Sequence, residues 1–402
     1  MGALHEQTAA LDAAVHMPTY ARKPVMFVRG SGMRLYDDDG REYLDFVAGV
    51  GCVNLGHAHP AVTAALAEQA AKLVQVSNLY FAEHRDELAE TLVELLGGGR
   101  KVFPCNSGAE ACEGAIKLAR KWGKETRGEH CFKIVTAERS FHGRTLAALA
   151  ATGQPSKQAA FEPLPPGFVH VPLNDIDALA AVVDHQTCAV MLEPVQGEGG
   201  VYQCDPEYLA AVRCLCDERE VLLVLDEVQT GFWRTGPAFA QERYGVSSDI
   251  SCLAKGMANG LPIGAVVARS PVADVFKPGD HGSTFAGGPV ICAAARATIA
   301  ALQSERLGEN AEATGGYLAA GLIALAESTG AIAEVRGAGL MLAAELIQPN
   351  AAAVAAAALA RGLVVNNIGE RVLRFLPPLV CGVGECDTLL EVLSELLTAE
   401  VS

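Results

Sequence analysis

The stretch VLLVLDEVQTG, Val221 to Gly231, decides the fold. Five apolar, mostly branched residues, Val221 to Leu225, read as a strand covered on both faces. Such strands belong to parallel sheets, where polar alternation is lost. The run stops at Asp226 and Glu227. In open α/β sheets ligands sit beyond the carboxyl ends of the strands, so Asp226 stands where a ligand is met. A strand ending in Asp-Glu also fits a nucleotide hydrolase, but that needs a glycine-rich loop ending Gly-Lys-Ser/Thr. The one plausible Gly-Lys, Gly123-Lys124, is followed by Glu125. Taken alone, Asp226 reads equally well as a helix cap.

A second apolar run, Ile250 to Leu253, is followed by Lys255. An Asp at one strand end and a Lys just past another suit pyridoxal phosphate. Lys joins the cofactor as a Schiff base, and Asp pairs with its pyridinium nitrogen.

The 402 residues are too many for one simple core and suit two domains. A hydrophobic fraction of 50% is that of a globular chain, not a disordered one. The net charge of −16 argues against nucleic acid and anionic membranes as partners. The 12 cysteines fall mostly in apolar runs with no CxxC pair, and no run reaches membrane-spanning length. No secretory signal is present, so a reduced, cytoplasmic location is expected.

Residues 1–50 read as an arm and a small sheet, with strands Val25 to Val28, Met33 to Tyr36 and Glu42 to Phe46 around glycine turns. A sheet domain is expected over 51–290 and an α+β domain over 291–402. The pair His57 and His59 has no further ligand nearby and reads as a turn before the helix from Pro60. Val102-Phe103 leads into Ser107, Gly108, Ala109 and Glu110. Ser107 and Glu110 have capping-box spacing, and the free N–H groups of a helix start can hold a phosphate. Beyond the strand Phe132 to Thr136, Phe141 or His142 can stack on a flat ring, and Arg144 can clamp a carboxylate. Ala189 to Leu192 ends at Glu193. Four strand ends therefore carry ligand-competent residues. Further on, Leu340 to Leu346, Leu363 to Asn366 and Val372 to Leu376 read as strands around the helix Ala351 to Ala360. A last helix is expected from about Asp387. Arg374, between Leu373 and Phe375, needs an anion partner if buried.

With these motifs in order, the chain resembles the class III (subgroup II) pyridoxal phosphate-dependent aminotransferases of fold type I, and within them the acetylornithine aminotransferases. The matching segments are NSGAEACEGAIKLAR (106–120), SFHGRTL (140–146), EPVQGEGG (193–200), LDEVQTG (225–231), AKGMANGLPIGA (254–265), HGSTFAGGP (281–289) and LRFLPPL (373–379). The resemblance implies an α/β fold: a large, mostly parallel sheet with helices on both faces, plus a smaller α+β domain. It implies Lys255 as the Schiff-base lysine and Asp226 on the pyridine nitrogen. Gln229 lies near the ring hydroxyl, Phe141 on the ring face, and Ser107, Gly108 and Ala109 on the phosphate. Thr284 reaches the phosphate of the other subunit of a homodimer. Arg144 and Arg374 take substrate carboxylates, and Glu198 pairs with Arg374 until 2-oxoglutarate enters. The implied reaction moves the ω-amino group of N2-acetylornithine to 2-oxoglutarate, a step of arginine biosynthesis. Other ω-amine donors, and a catalytically inactive binding protein of the same fold, are the alternatives. Cys112, Gly114, Trp233, Ala286 and Gly288 depart from the family's usual residues, and Trp233 is expected to reshape the rim. Val50 and Gly51 stand where ornithine aminotransferases carry a donor-binding Tyr.

Overall fold

The computed structural model describes residues 3–399. Strand Leu222–Asp226 is buried at all five positions. It lies at the middle of a seven-stranded sheet ordered Arg100–Cys105, Gly264–Arg269, Ile250–Leu253, Leu222–Asp226, Thr187–Leu192, Lys133–Ala137, Phe168–Val171. Neighbours run parallel except Gly264–Arg269, which is antiparallel to both strands beside it. The fold is thus the mostly parallel α/β sheet that the apolar runs demanded.

Alternate residues of the central strands feed two separate cores. Leu222, Val224 and Met191 pack against helix Gly108–Arg127 through Ala115, Ile116 and Ala119. Leu223, Leu225 and Val190 pack on the opposite face against helix Pro206–Glu218 through Leu209 and Val212. This two-sided cover holds the central strand rigidly, and the chain emerges from it at Asp226.

Two four-stranded sheets and a two-stranded one, Val195–Gln196 with Tyr202–Gln203, complete the described residues. Phe27–Ser31, Arg34–Asp37 and Glu42–Asp45 form an antiparallel meander, with Leu363–Val364 parallel to its last strand. The first strand sits two residues later than expected. Ser31 pairs with Arg34 across Gly32-Met33, and the short turn fixes that register. Ile332–Ala338, Met341–Leu346, Val372–Phe375 and Asn366–Ile368 form an antiparallel sheet. The expected strand Leu363 to Asn366 is split, its first half joining the meander and its second half this sheet. The last helix begins at Val383, a turn before Asp387. Glu385 accepts from the Gly382 N–H at 3.1 Å, while Asp387 accepts from the Tyr317 hydroxyl at 2.6 Å. The helix after Ser107 starts at Gly108 and runs to Arg127.

Arg234 ties these parts together. It is fully buried and donates to the carbonyls of Leu340 and Pro377 at 3.0 and 2.5 Å and to Asn54 Oδ1 at 2.7 Å. Asn54 in turn donates to the Phe232 carbonyl at 2.8 Å. Burial pushes the guanidinium down to about 9, because its acceptors are neutral. Asn54→Ala removes one acceptor from this buried cation. We predict a loss of about 2–3 kcal/mol in urea unfolding, the cost of leaving a buried charged donor short of a partner. An unchanged midpoint would show that the cation does not depend on Asn54.

Candidate active site

Strand ends converge on a cavity of about 440 Å³, a size suited to a small molecule. At its floor, Asp226 is almost fully buried. Its Oδ1 accepts the Val228 N–H at 3.0 Å. Its Oδ2 meets His142 Nδ1 at 2.8 Å and Cys112 Sγ at 3.3 Å. Burial pushes the His142 imidazole down, but the hydrogen bond and charge of Asp226, helped by Glu193, outweigh it and raise the pKa. The Cys112, His142 and Asp226 atoms lie within 4.8 Å of one another, a spacing their mutual hydrogen bonds account for.

Lys255 follows the strand Ile250–Leu253 in a left-handed conformation, φ 46°. A lysine there is strained and must be held by its surroundings. Asn259, at the end of the same short turn, accepts the Leu55 N–H at 2.8 Å and donates to the Gly56 carbonyl at 2.9 Å. Asn54 packs so closely against Gly256 that a Cβ there would lie 2.4 Å from its side-chain nitrogen. Burial pushes the Lys255 amine down; Glu198 opposes this and Arg374 adds to it.

At another wall, Ser107 caps helix Gly108–Arg127 by accepting the Glu110 N–H at 3.2 Å. The capping box is only half formed, because the Glu110 carboxylate turns to the Asn106 N–H at 2.9 Å. The N–H groups of Ser107, Gly108 and Ala109 meet no acceptor among the described residues, so this helix start is open to an anion. Glycine is required at 108, since a Cβ would lie 2.7 Å from Val228 Cγ1.

Opposite, Arg374 is 1% exposed and finds the anion its burial demands. Its Nη1 lies 2.6 Å from Glu198 Oε1, 3.1 Å from the Gly197 carbonyl and 3.4 Å from Gln229 Oε1. Burial pushes the Glu198 carboxyl up, but Arg374 and Lys255 outweigh this and hold it low. Arg144, by contrast, is exposed with its guanidinium 5.6 Å from the centre of the Phe141 ring. It makes no salt bridge among the described residues and is free to meet a carboxylate.

Of the cofactor and substrate residues expected from sequence, all but Thr284 and Arg374 line the cavity. Arg374 lies behind Glu198. Thr284 is on an exposed segment beside Phe285, outside the cavity. His142 is not a stacking group: it is buried with its ring bonded to Asp226. Phe141, half-buried, remains for that role. Trp233 does not shape the rim; it packs against Gly308, where a Cβ would lie 2.4 Å from the indole. His57 binds Asp45 at 2.8 Å and His59 binds Glu305 at 3.0 Å, as suits a structural turn.

Sequence reasoning gave no specific role to three neighbours. Glu193 accepts the Phe141 and Gly197 N–H groups at 2.8 and 3.2 Å. Burial pushes its carboxyl up to about 7, with His142 opposing and Asp226 reinforcing. Its place at a strand end was the signal. Lys157 brings a second cation to within 5.7 Å of the Phe141 ring, with no motif to mark it. Cys112 resembles core filler in sequence, yet touches Asp226.

The donor set fits pyridoxal phosphate: free N–H groups for a phosphate, a buried carboxylate for the ring nitrogen, and an amine between them. The sequence model of the class-III aminotransferases matches residues 16–397. The chain is a class-III aminotransferase. It is therefore an enzyme that depends on pyridoxal phosphate. It is 49% identical over 382 residues to the acetylornithine aminotransferase of Caldanaerobacter subterraneus, covering 95% of this chain and 97% of that one. It is 50% identical over 378 residues to that of Gloeobacter violaceus, covering 94% of each. Among solved structures, the acetylornithine aminotransferase of Elizabethkingia anophelis superposes with a TM-score of 0.88 at 35% identity, covering 98% of this chain and 99% of that one. The ornithine aminotransferase of Toxoplasma gondii gives 0.94 at 35% identity, covering 98% and 95%.

The raised pKa of His142 has a consequence for this aminotransferase. A group raised on folding stabilises fully below its unfolded value, about 6.5 for imidazole, and loses that contribution as pH rises through the folded value. His142→Asn keeps a donor but removes the charge. Its loss of Tm should be largest below about pH 6.5 and shrink at alkaline pH. A penalty that does not vary with pH would contradict the His142–Asp226 ion pair.

Proposed function

We propose that this aminotransferase takes the ω-amino group of N2-acetylornithine and passes it to 2-oxoglutarate. The carrying observation is the unequal state of two arginines. Arg374 is neutralised by Glu198 at 2.6 Å, while Arg144 stands unpaired. A donor with one carboxylate needs one free arginine, and Arg144 supplies it. 2-oxoglutarate has two carboxylates, so Glu198 must release Arg374 when it enters. The names of the curated relatives agree with this donor. So does the wall at Gly51, which lies against Gln229 and Leu376 and offers no hydroxyl to a free α-amino group.

Pyridoxal phosphate, when bound, supplies the electron sink for charge developing on the substrate carbon. Ser107, Gly108 and Ala109 would hold its phosphate through their open N–H groups. Phe141 would cover the ring, and Asp226 would keep a proton on the ring nitrogen. Gln229, between Glu198 and Arg374, would reach the ring hydroxyl. Lys255 would be the covalent attachment point and, once displaced, the base that moves the proton from the substrate carbon. Its lowered pKa favours the neutral amine this needs.

The working unit in this proposal is a homodimer in the cytoplasm, with Thr284 completing the partner's phosphate site. Leu79, Phe81 and Phe285 are 86%, 93% and 72% exposed on one chain, apolar surface that a second copy would cover. No helix among the described residues is long and apolar enough to cross a membrane. The division 1–50, 51–290 and 291–402 is proposed to follow the three main sheets, with Leu363–Val364 crossing back to the first.

The ornithine aminotransferase of Toxoplasma gondii superposes better than the acetylornithine aminotransferase structure at the same identity, so donors must be compared directly. Titrating the visible cofactor band with N-acetylornithine, N-succinylornithine, ornithine and 4-aminobutyrate should show N-acetylornithine acting at the lowest concentration. Arg144→Ala should raise that concentration by about 10- to 150-fold, as losing a charged hydrogen bond does. A lower requirement for another donor would replace the substrate. An unchanged requirement in the variant would remove Arg144 from the clamp.

A further inference from the structure

Asp226 stands on the inner wall of the cavity, and the number of its free lone pairs is limited. An ionised carboxylate offers about four acceptor sites. The Val228 N–H takes one, on Oδ1, and His142 takes another, on Oδ2. The third donor is Cys112, whose Sγ lies 3.3 Å from Oδ2. Cys112 sits one turn into helix Gly108–Arg127, the helix whose first residues are open to an anion. It is 0% exposed, among Ala111, Ala115 and Cys252. The neighbouring Cys252, burial and the charge of Asp226 all push its thiol pKa up, so it remains S–H, its one proton directed to Asp226 Oδ2 while Cys252 Sγ turns to the Ala111 carbonyl at 3.7 Å. One acceptor site on Asp226 is left for the cavity.

We propose that Cys112 is a positioning residue for the cofactor. Its S–H closes the second site on Oδ2, fixing the carboxylate rotamer and moderating its basicity toward the ring nitrogen. This rests on the reading of Asp226 as the partner of that nitrogen. A thiol is a weak donor, so it leaves the carboxylate more basic than a hydroxyl would. Removing it leaves a lone pair bare in a dry site. Asp226 then draws the shared proton away from the ring and weakens the electron withdrawal that the nitrogen provides.

The test is the pH midpoint of the visible cofactor band in holoenzyme, with release of the cofactor on dilution as a second readout. Cys112→Ala should move the midpoint upward by on the order of half a pH unit and speed cofactor release. Cys112→Ser, which restores a donor of similar size, should return the midpoint to the wild-type value or below it. Cys131→Ala, another buried cysteine away from Asp226, should change neither. If C112A does not fold, the infrared S–H stretch carries the test, assigned by difference between wild-type and C112S holoenzyme. A band displaced downward from that of an unbonded thiol supports the contact, and an undisplaced band overturns it. Midpoints and release rates in C112A and C112S that match wild type, with only Tm lowered, would reduce Cys112 to core filler and leave Asp226's role standing. No visible band in wild type would overturn the assignment of Asp226, and this inference with it.

Discussion

A carboxylate almost completely removed from water must be supplied with donors, and in this chain that requirement organises the site. Asp226 ends a strand whose two faces are sealed by separate helical cores. His142 comes from the segment after Lys133–Ala137, Cys112 from helix Gly108–Arg127, and Val228 from the chain just beyond. Satisfying one anion therefore fixes three segments relative to each other. Those same segments carry the open N–H groups, the Phe141 ring and Gln229. On the proposed reading, structural need and chemical use coincide in a single side chain.

On the proposed reading, charge balance would let one pocket serve two substrates. Among its cations, Arg374 is compensated by Glu198, while Arg144 and Lys157 face Phe141 without a salt bridge among the described residues. Lys255 sits between, its amine pushed down by burial. A carboxylate arriving at the mouth meets positive potential. On the proposed reading, a second carboxylate would be held by displacing Glu198 from Arg374. The ion pair would then be part of the specificity, and in an enclosed site its strength depends little on salt.

The central strand, its neighbours and the convergence of strand ends were legible because burial on both faces leaves an unmistakable apolar run. Phe168–Val171 and Gly264–Arg269 were not legible. The first is interrupted by His170 at the sheet edge, and the second continues from a Gly-Leu-Pro turn that hides its start. Leu363 to Asn366 looked like one strand because local pattern cannot show that the chain changes sheets there. Within the site, charged residues at strand ends announced themselves. Cys112 did not, because a thiol in an alanine-rich helix has the pattern of core, and only its distance to Asp226 reveals otherwise. Sequence left Phe141 and His142 as equal stacking candidates, since it cannot tell a stacking imidazole from one hydrogen-bonded to a carboxylate, and the structure bonds His142 to Asp226.

The central claim is that Lys255 carries the cofactor within the cavity floored by Asp226. Borohydride reduction of the purified holoenzyme, followed by proteolysis and mass spectrometry, measures this directly. The account predicts one reduced cofactor on the peptide containing Lys255. Label on a different lysine, or none on protein that shows the visible band, would contradict it.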